Sequence, residues 1–444
     1  MRLIRLLKND IAREACEWVD DGLISQSQAE KICQRYDVDY HQIKNRSFGY
    51  SVLMGLGFLF IGLSVITLLG ANWDEIPRAV RMWGLIAVTM TTQGLALRLY
   101  LQGRAQATGI FFLGNLFYGA SIILIAQVYH LGEHMPDGVF WWALGCLPIG
   151  ILICSRMVML QSLVLALIWF FMEAGMGFYP ALFPLFIAGG LYVLYRGQQS
   201  VLLFLMVVAC IAVWFEYSLA EYWREGRYFD FHAGHVVVSV ALFILAYTFS
   251  HWLHLRESVR ARDYGAILAL WSLRFGLVFM LVMGFEDPWR DLIRADWWHI
   301  TSVLALVAGF SIAALLLAYI TRRLIPVSGL VSCFWLLLLG VLNTTESGDA
   351  IYFQIASNLL LVALGIWLIV RGIHSGISHY FFLGVASIML TALMRYIDLI
   401  GDYIGGAILF AVFAALLLGA AKYWKSYQLK MHQPEEIKQG EQQS

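Results

Sequence analysis

The chain of 444 residues is too apolar to be an ordinary water-soluble protein. Hydrophobic residues make up 60% of it and charged residues only 14%, whereas soluble globular domains carry about 25% charged residues. Lys and Arg together number 30, as do Asp and Glu, so the net charge of zero gives no basis for binding nucleic acid. Composition therefore excludes a soluble enzyme, a disordered chain and a secreted disulfide scaffold, and it predicts a protein embedded in the lipid bilayer.

The polar leader, residues 1–47, is predicted to form a cytoplasmic helical hairpin. Apolar residues recur at helical spacing up to Trp18, and the turn residues Asp21 and Gly22 end that helix. Ser25 and Gln28 form a capping-box pattern at the start of a second helix. The leader holds equal numbers of basic and acidic residues and lacks the basic surplus of a DNA-reading helix-turn-helix. We therefore expect it to dock a cytoplasmic protein partner.

The membrane domain, residues 48–424, contains about fourteen apolar runs of a length that can span a bilayer, which takes about 20 residues per helix. An all-α, polytopic transmembrane helix bundle is the predicted fold. The runs are Tyr50–Gly70, Ala79–Leu101, Thr108–Tyr129, Val139–Cys154, Met157–Met176, Tyr179–Tyr195, Val201–Leu219, His235–Leu253, Tyr264–Phe285, Ile300–Tyr319, Pro326–Leu342, Tyr352–Val370, Tyr380–Ile397 and Gly405–Ala421.

The distribution of basic residues predicts the orientation of these spans. With the N-terminus inside, 22 Lys and Arg fall on the cytoplasmic side, six fall outside, and Arg274 and Arg395 lie within spans. Because cytoplasmic connections carry the excess of Lys and Arg, we expect an even number of spans and both termini in the cytoplasm. The outer connections are short and acidic, and their tryptophans suit an interfacial aromatic belt. The polar tail, residues 425–444, is predicted to be disordered.

Three stretches together resemble one family of bacterial membrane proteins. They are Trp18-Val19-Asp20-Asp21-Gly22-Leu23-Ile24-Ser25, Ala71-Asn72-Trp73-Asp74-Glu75-Ile76-Pro77, and Ala126-Gln127-Val128-Tyr129-His130-Leu131 followed by Trp142-Ala143-Leu144 and Leu147-Pro148. The chain is similar to the predicted multi-pass membrane proteins catalogued as domain of unknown function twenty-one fifty-seven. The resemblance implies a multi-pass protein of the bacterial cell inner membrane, and it supplies no catalytic residue.

Charged residues inside or beside the spans are the first candidates for a substrate site. An arginine at the centre of a spanning helix costs about 2.5–3.5 kcal/mol, so Arg274 should face protein or a wet cavity. Arg395, Asp398 and Asp402 share one helical face at the outer end of a span. Arg274 and Arg395 could hold an anionic group, with the carboxylates exchanging protons. The structural alternative is closed salt bridges.

A second group of candidates lies in the outer connections and among uncharged polar residues. Asn72, Asp74 and Glu75 follow the first span, where they could bind a cation or act as a base, or could simply cap the helix after Pro77. Glu173 lies near the outer end of its span and is a candidate proton carrier.

Gln127, with Asn115 and Gln93, could line a polar path, or could hydrogen-bond neighbouring helices. Two outer histidine pairs have metal-like spacing, His130-x3-His134 and His232-x2-His235, but without a third well-placed ligand they favour no metal site. The six cysteines show no CxxC spacing and no GxxxxGK[ST] loop occurs, so the sequence predicts no cofactor and no ATP-driven pump.

The leading functional hypothesis is a permease- or flippase-like carrier of a small or lipid-linked anionic solute, rather than an enzyme. One alternative is an integral membrane enzyme that acts on a lipid or glycan at the outer face. Another is a non-catalytic partner in envelope assembly or stress response, which would act through the leader. The sequence does not indicate the oligomeric state.

Overall fold

The computed structural model describes residues 14–15, 18–19, 21–35, 77–129, 134–375 and 378–398, with isolated positions between 53 and 67 and at 411, 414 and 418. All secondary structure in these residues is helical. The helices are α1 Gln26–Arg35, α2 Arg78–Leu101, α3 Ala107–Tyr129, α4 Met135–Leu152, α5 Arg156–Gly175, α6 Phe183–Arg196, α7 Val201–Tyr222, α8 Ala233–His254, α9 Val259–Val282, α10 Glu286–Arg294, α11 Ile300–Ile320, α12 Leu324–Asn343, α13 Ala350–Ser375 and α14 Ser378–Asp398.

Each span predicted between residues 79 and 397 coincides with one helix. Nine helical segments of the described chain are long and apolar enough to cross a membrane: α3, α4, α5, α7, α8, α9, α11, α12 and the segment Ser347–His374. The all-helical, multi-pass prediction is therefore confirmed, and the protein is located in a membrane. The first and last predicted runs, together with the tail, lie almost wholly outside the described residues, so the count of fourteen and the cytoplasmic termini stay predictions.

The predicted span Tyr179–Tyr195 is wrong at its start. The chain turns at Tyr179–Leu182 and α6 begins only at Phe183, with Pro184 in its first turn. At 1.5 Å per residue its 14 residues are about 21 Å long, which is less than the roughly 30 Å hydrocarbon core. Because proline lacks an amide N–H and fits only the first turn of a helix, Pro180 and Pro184 set this late start.

Two tryptophans that were expected in an interfacial belt are instead buried inside the protein. Trp223 is 3% exposed and Trp289 is 5% exposed. Trp289 belongs to α10, a short helix that hydropathy did not predict, and its indole N–H donates to the Met283 carbonyl at 2.6 Å. Arg290 forms ion pairs with Glu286 and Asp287 on the solvent side of α10. The helix was missed because it is short and highly charged.

The second helix of the leader has the predicted capping box. The Ser25 amide donates to the Gln28 side-chain oxygen at 2.9 Å, and the Gln28 amide donates back to the Ser25 hydroxyl at 3.4 Å. Ala29 and Cys33 of α1 pack against Ala15, and all three are buried. These contacts join α1 to the residues that precede the Asp21-Gly22 turn.

The described residues divide into two compact units. The N-terminal unit contains the chain up to residue 231 together with 257–264, and the C-terminal unit contains residues 232–256 and the chain from 265 onward. In the N-terminal unit, α4 to α7 enclose a core in which Phe170, Phe183 and Phe186 are fully buried. In the C-terminal unit, α8 packs on α11 and α12 around Ala314 and Val327, and α13 packs on α14 around Ile388.

Candidate functional site

A cleft opens in the N-terminal unit where α5 ends, α4 begins and the chain turns toward α6. These three segments lie at the end of the helices that is predicted to face outward. The cleft has a volume of about 460 Å³, and most of its wall is apolar. The lining residues are His134, Asp137, Trp169, Glu173, Phe178, Tyr179, Pro180, Ala181 and Leu182.

Glu173 is the buried carboxylate of this cleft. The residue is only 8% exposed, and each of its carboxylate oxygens has a partner. The Trp169 indole N–H donates to Oε1 at 3.0 Å, and His134 Nε2 lies 3.0 Å from Oε2. Because burying an unpaired carboxylate is costly, the two contacts account for the presence of Glu173 here. Glu173 was predicted as a proton carrier, but its histidine partner was not.

Asp137 adds a second carboxylate to the same site. It occupies the first turn of α4, three residues after His134, and its side chain is exposed. One ligand atom from each of His134, Asp137 and Glu173 lies within 4.8 Å of the others. The other histidine pair with metal-like spacing, His232 and His235, brings no three such atoms together within the described part of the chain.

A chain of buried amides connects α2, α3 and α5 in the same unit. Gln93 Nε2 donates to Asn115 Oδ1 at 2.9 Å, and Asn115 Nδ2 donates to Gln161 Oε1 at 3.0 Å. The Trp142 indole N–H donates to the Asn115 carbonyl at 2.7 Å. These contacts join neighbouring helices, as the structural alternative for these amides requires. Gln127, which was grouped with them, is exposed near the end of α3.

A second polar cluster lies in the C-terminal unit, at the end of the helices predicted to face the cytoplasm. Arg323, just before α12, approaches His251 of α8 with 3.3 Å between Nη1 and Nε2. The ring of Tyr247, one turn earlier on α8, lies 4.7 Å from the His251 ring. Arg371 and His254 are also close enough to act electrostatically on His251.

The cluster continues toward Arg274 through α14. Tyr380 acts electrostatically on Tyr247, and its ring lies 4.6 Å from that of His379. Arg274 in turn acts electrostatically on His379, and neither ring nitrogen of His379 has a hydrogen-bond partner among the described residues. We name this set the arginine–histidine array, and its members are Arg274, His379, Tyr380, Tyr247, His251, Arg323 and Arg371.

The predicted substrate arginines both lie against aromatic rings. The Arg274 guanidinium lies 5.4 Å from the centroid of Trp271 on the same helix, and its side chain is exposed on α9. Arg395 lies 5.1 Å from the centroid of Phe285. No carboxylate of the described residues forms an ion pair with Arg274, so the structural alternative of a closed salt bridge is not found for it there.

The remaining predicted site residues lie outside the described part of the chain. Asn72, Asp74, Glu75 and Asp402 are among them, and of Asp398 only the backbone at the end of α14 is described. The predicted outer-loop site and the Arg395–Asp398–Asp402 cluster therefore stay predictions.

Sequence reasoning missed His134 and Asp137 as partners of Glu173, and Arg323 and Arg371 as members of the array. A signal existed for the first set, because His134 has a metal-like spacing and lies three residues before Asp137. The spacing alone predicted no metal site, because the sequence shows no third well-placed ligand beside it. The third group is Glu173 of α5, which lies 39 residues further along the chain. Arg323 and Arg371 were counted only as orientation signals, because their approach to His251 depends on how α8, α12 and α13 pack.

Comparison with known proteins gives one positive finding. No curated protein and no solved structure matches the chain. Residues 16–159 match the family described as Predicted membrane protein (DUF2157), and the three motifs that carry the resemblance all lie within this stretch. This match confirms that the chain is similar to that family over residues 16–159, and it agrees with the apolar helices in indicating an integral membrane protein.

Proposed function

We propose that the protein is a permease- or flippase-like carrier of a small or lipid-linked anionic solute, and that the arginine–histidine array of the C-terminal unit binds it. The observation that carries this proposal is that the array contains positively charged and hydrogen-bonding side chains but no carboxylate. Arg323 Nη1 lies 3.3 Å from His251 Nε2, and the Tyr247 ring packs against His251. Arg371 lies near the same two rings and Arg274 lies near His379. Among the described residues no carboxylate forms an ion pair with Arg274 or Arg323.

Such an arrangement favours an anion because cations at a membrane-embedded site need a counter-charge. An arginine within a span costs several kcal/mol unless it is paired or hydrated, and guanidinium groups bind carboxylate and phosphate oxygens through paired N–H donors. Histidine and tyrosine add further donors along the same path. The array extends from the helix ends at Arg323 to Arg274 midway along α9, as a route into the membrane requires.

The other predicted carrier residues keep their proposed roles. Arg395 would hold the anionic group at the opposite end of the route, and Asp398, Asp402 and Glu173 are the carboxylates proposed to exchange protons during transport. The contact between Glu173 and His134 supports this role for Glu173, because a carboxyl group that is hydrogen-bonded to an imidazole can pass a proton to the ring.

The test is flux through the full-length protein in proteoliposomes. The soluble probes are radiolabelled phosphate, sulfate and glycerol phosphate. The lipid probe is a fluorescent polyprenyl phosphate, whose movement between leaflets is followed by dithionite bleaching. Losing a charge-assisted hydrogen bond costs about 1.5–3 kcal/mol, so R323Q and R274Q should each slow the accepted probe about tenfold or more.

The matched control is R322Q. Arg322 is the exposed neighbour of Arg323 and lies outside the array. Its backbone is left-handed (φ 55°), and glutamine is, like arginine, a long side chain that is not branched at Cβ. We expect R322Q to transport at the wild-type rate. Equal rates for R323Q, R274Q and wild type, or no probe moving faster than in protein-free liposomes, would contradict the proposal.

A further inference from the structure

We propose that His134, Asp137 and Glu173 bind one divalent transition-metal ion in the cleft of the N-terminal unit, with Zn²⁺ as the probe ion. The inference rests on geometry in a different unit from the arginine–histidine array. The metal site shares no residue with the array, so anion binding by the array and metal binding here are tested separately. It does share Glu173 with the carrier proposal, and a Glu173 carboxylate that ligates a metal ion is not the group that exchanges protons.

The distances between the three side chains suit a metal centre. His134 Nε2 and Glu173 Oε2 are 3.0 Å apart, and all three ligand atoms lie within 4.8 Å of one another. In a tetrahedral zinc site with bonds of about 2.0–2.1 Å, neighbouring ligand atoms are roughly 3.3 Å apart. His134 and Glu173 are thus already close to the required separation, and only the exposed Asp137 carboxylate has to swing inward.

The ligand set selects the class of ion. One imidazole nitrogen and two carboxylate oxygens suit Zn²⁺ and its neighbours, whereas Mg²⁺ and Ca²⁺ prefer sites built from oxygen alone. Two carboxylates also balance the charge of a divalent ion. Three protein ligands leave a fourth position that faces the open cleft, which is the pattern of zinc sites that bind water or a substrate group.

The surroundings hold the two inner ligands in position. The Trp169 indole N–H bonds to Glu173 Oε1 and leaves Oε2 directed at His134. The Phe178 ring packs edge-on against the His134 imidazole, with 5.4 Å between the ring centroids. Hydrogen bonds of this kind to a ligating carboxylate orient it and commonly change metal affinity by about 10–100-fold.

The experiment measures Zn²⁺ binding to the full-length, tag-free protein in detergent after treatment with EDTA. A polyhistidine tag is removed because it would bind the ion itself. Affinity and stoichiometry are obtained by competition with a chromophoric chelator, and Co²⁺ is added in parallel so that its visible absorption reports the ligand geometry. We expect one ion per chain, displaced by acid because protons compete for the imidazole nitrogen, and no competition from a large excess of Mg²⁺.

Three substitutions remove one ligand each, and a fourth is the control. H134Q, D137N and E173Q should each weaken Zn²⁺ binding at least tenfold. E173Q keeps an oxygen that can accept from Trp169, and size-exclusion elution shows whether each variant stays folded. H232Q removes a histidine from the other outer pair with metal-like spacing, and it should bind as the wild type does.

Either of two results would overturn the proposal. One is wild-type protein that binds no more Zn²⁺ than H134Q and E173Q do. The other is a site that H232Q weakens as strongly as H134Q does, because the ion would then be bound elsewhere.

Discussion

At the scale of single residues, the buried polar side chains of the N-terminal unit differ in what they contact. Some join neighbouring helices, and Glu173 lines an open cleft. Asn115 makes hydrogen bonds to two other helices and is 1% exposed, which is what a residue that joins helices requires. Glu173 is almost as well enclosed, yet one of its bonds goes to an imidazole at the edge of an open cleft. Both residues looked alike in the sequence, as isolated polar positions in apolar runs.

Replacing Asn115 by leucine should destabilise the protein. The substitution leaves the Gln93 amide and the Gln161 carbonyl without their partner between α2, α3 and α5. Interhelical hydrogen bonds in membranes contribute about 0.6 kcal/mol on average and up to about 1.7 kcal/mol, so we expect N115L to lose about 1–2 kcal/mol. Thermal unfolding of the detergent-solubilised protein measures the loss.

Gln127→Leu is the matched control, because Gln127 lies on the same helix but is exposed. Its midpoint of unfolding should stay close to that of the wild type. If N115L were as stable as Q127L, the amide chain would not hold the three helices together.

At the scale of helices, the pair α3 and α4 shows why glycines recur in the apolar runs. A Cβ atom at Gly119 of α3 would overlap the Trp142 ring of α4, and one at Gly145 of α4 would overlap the Tyr118 ring of α3. Each helix therefore places a glycine beneath an aromatic residue of the other. Small residues at such crossings let membrane helices approach closely.

Gly119→Ala should lower the stability of the protein against unfolding, although alanine has a higher helix propensity than glycine. The added methyl group overlaps Trp142, and that ring is held in place by its bond to the Asn115 carbonyl. Overpacking of this kind typically costs about 1–3 kcal/mol, which unfolding of G119A in detergent would measure.

Gly138→Ala is its control, because a Cβ there would meet Ile122 at 3.6 Å, an ordinary contact between the same two helices. A G119A variant that unfolds at the same temperature as G138A would show that the crossing is looser than the structure indicates.

At the scale of the whole molecule, the positions of the charged residues predict a basic cytoplasmic side and an acidic outer side. The predicted alternation assigns His134, Glu173 and the turn before α6 to the outer side, and Arg323 and His251 to the cytoplasmic side. An even number of spans with both termini inside follows only if α6 and the first and last runs also cross.

Reporter fusions test this topology. A fluorescent protein fused after residue 444 should fluoresce in a bacterial host, because it folds in the cytoplasm. Alkaline phosphatase fused after Asp349 should be active, because it needs the oxidising outer compartment. An active phosphatase at residue 444 would mean that the number of spans is odd.

The sequence by itself determined that the protein is an all-helical membrane protein, which family it resembles, and where its long apolar helices between residues 79 and 397 lie. These properties are local: a run of about 20 apolar residues favours the bilayer whatever surrounds it. The sequence also singled out a few polar residues within the apolar runs as candidate site residues, Glu173 and Arg274 among them.

Only the tertiary structure decided which of these residues meet. Glu173 reaches His134 across 39 residues and Arg323 reaches His251 across 72. Such pairings depend on which helices are neighbours and on how each is rotated about its axis. The hydropathy of the sequence indicates neither the neighbours of a helix nor its rotation. The reason is that lipid and protein interior are almost equally apolar, so a membrane helix shows little difference between its faces. The late start of α6 and the burial of Trp289 were also visible only in the folded chain.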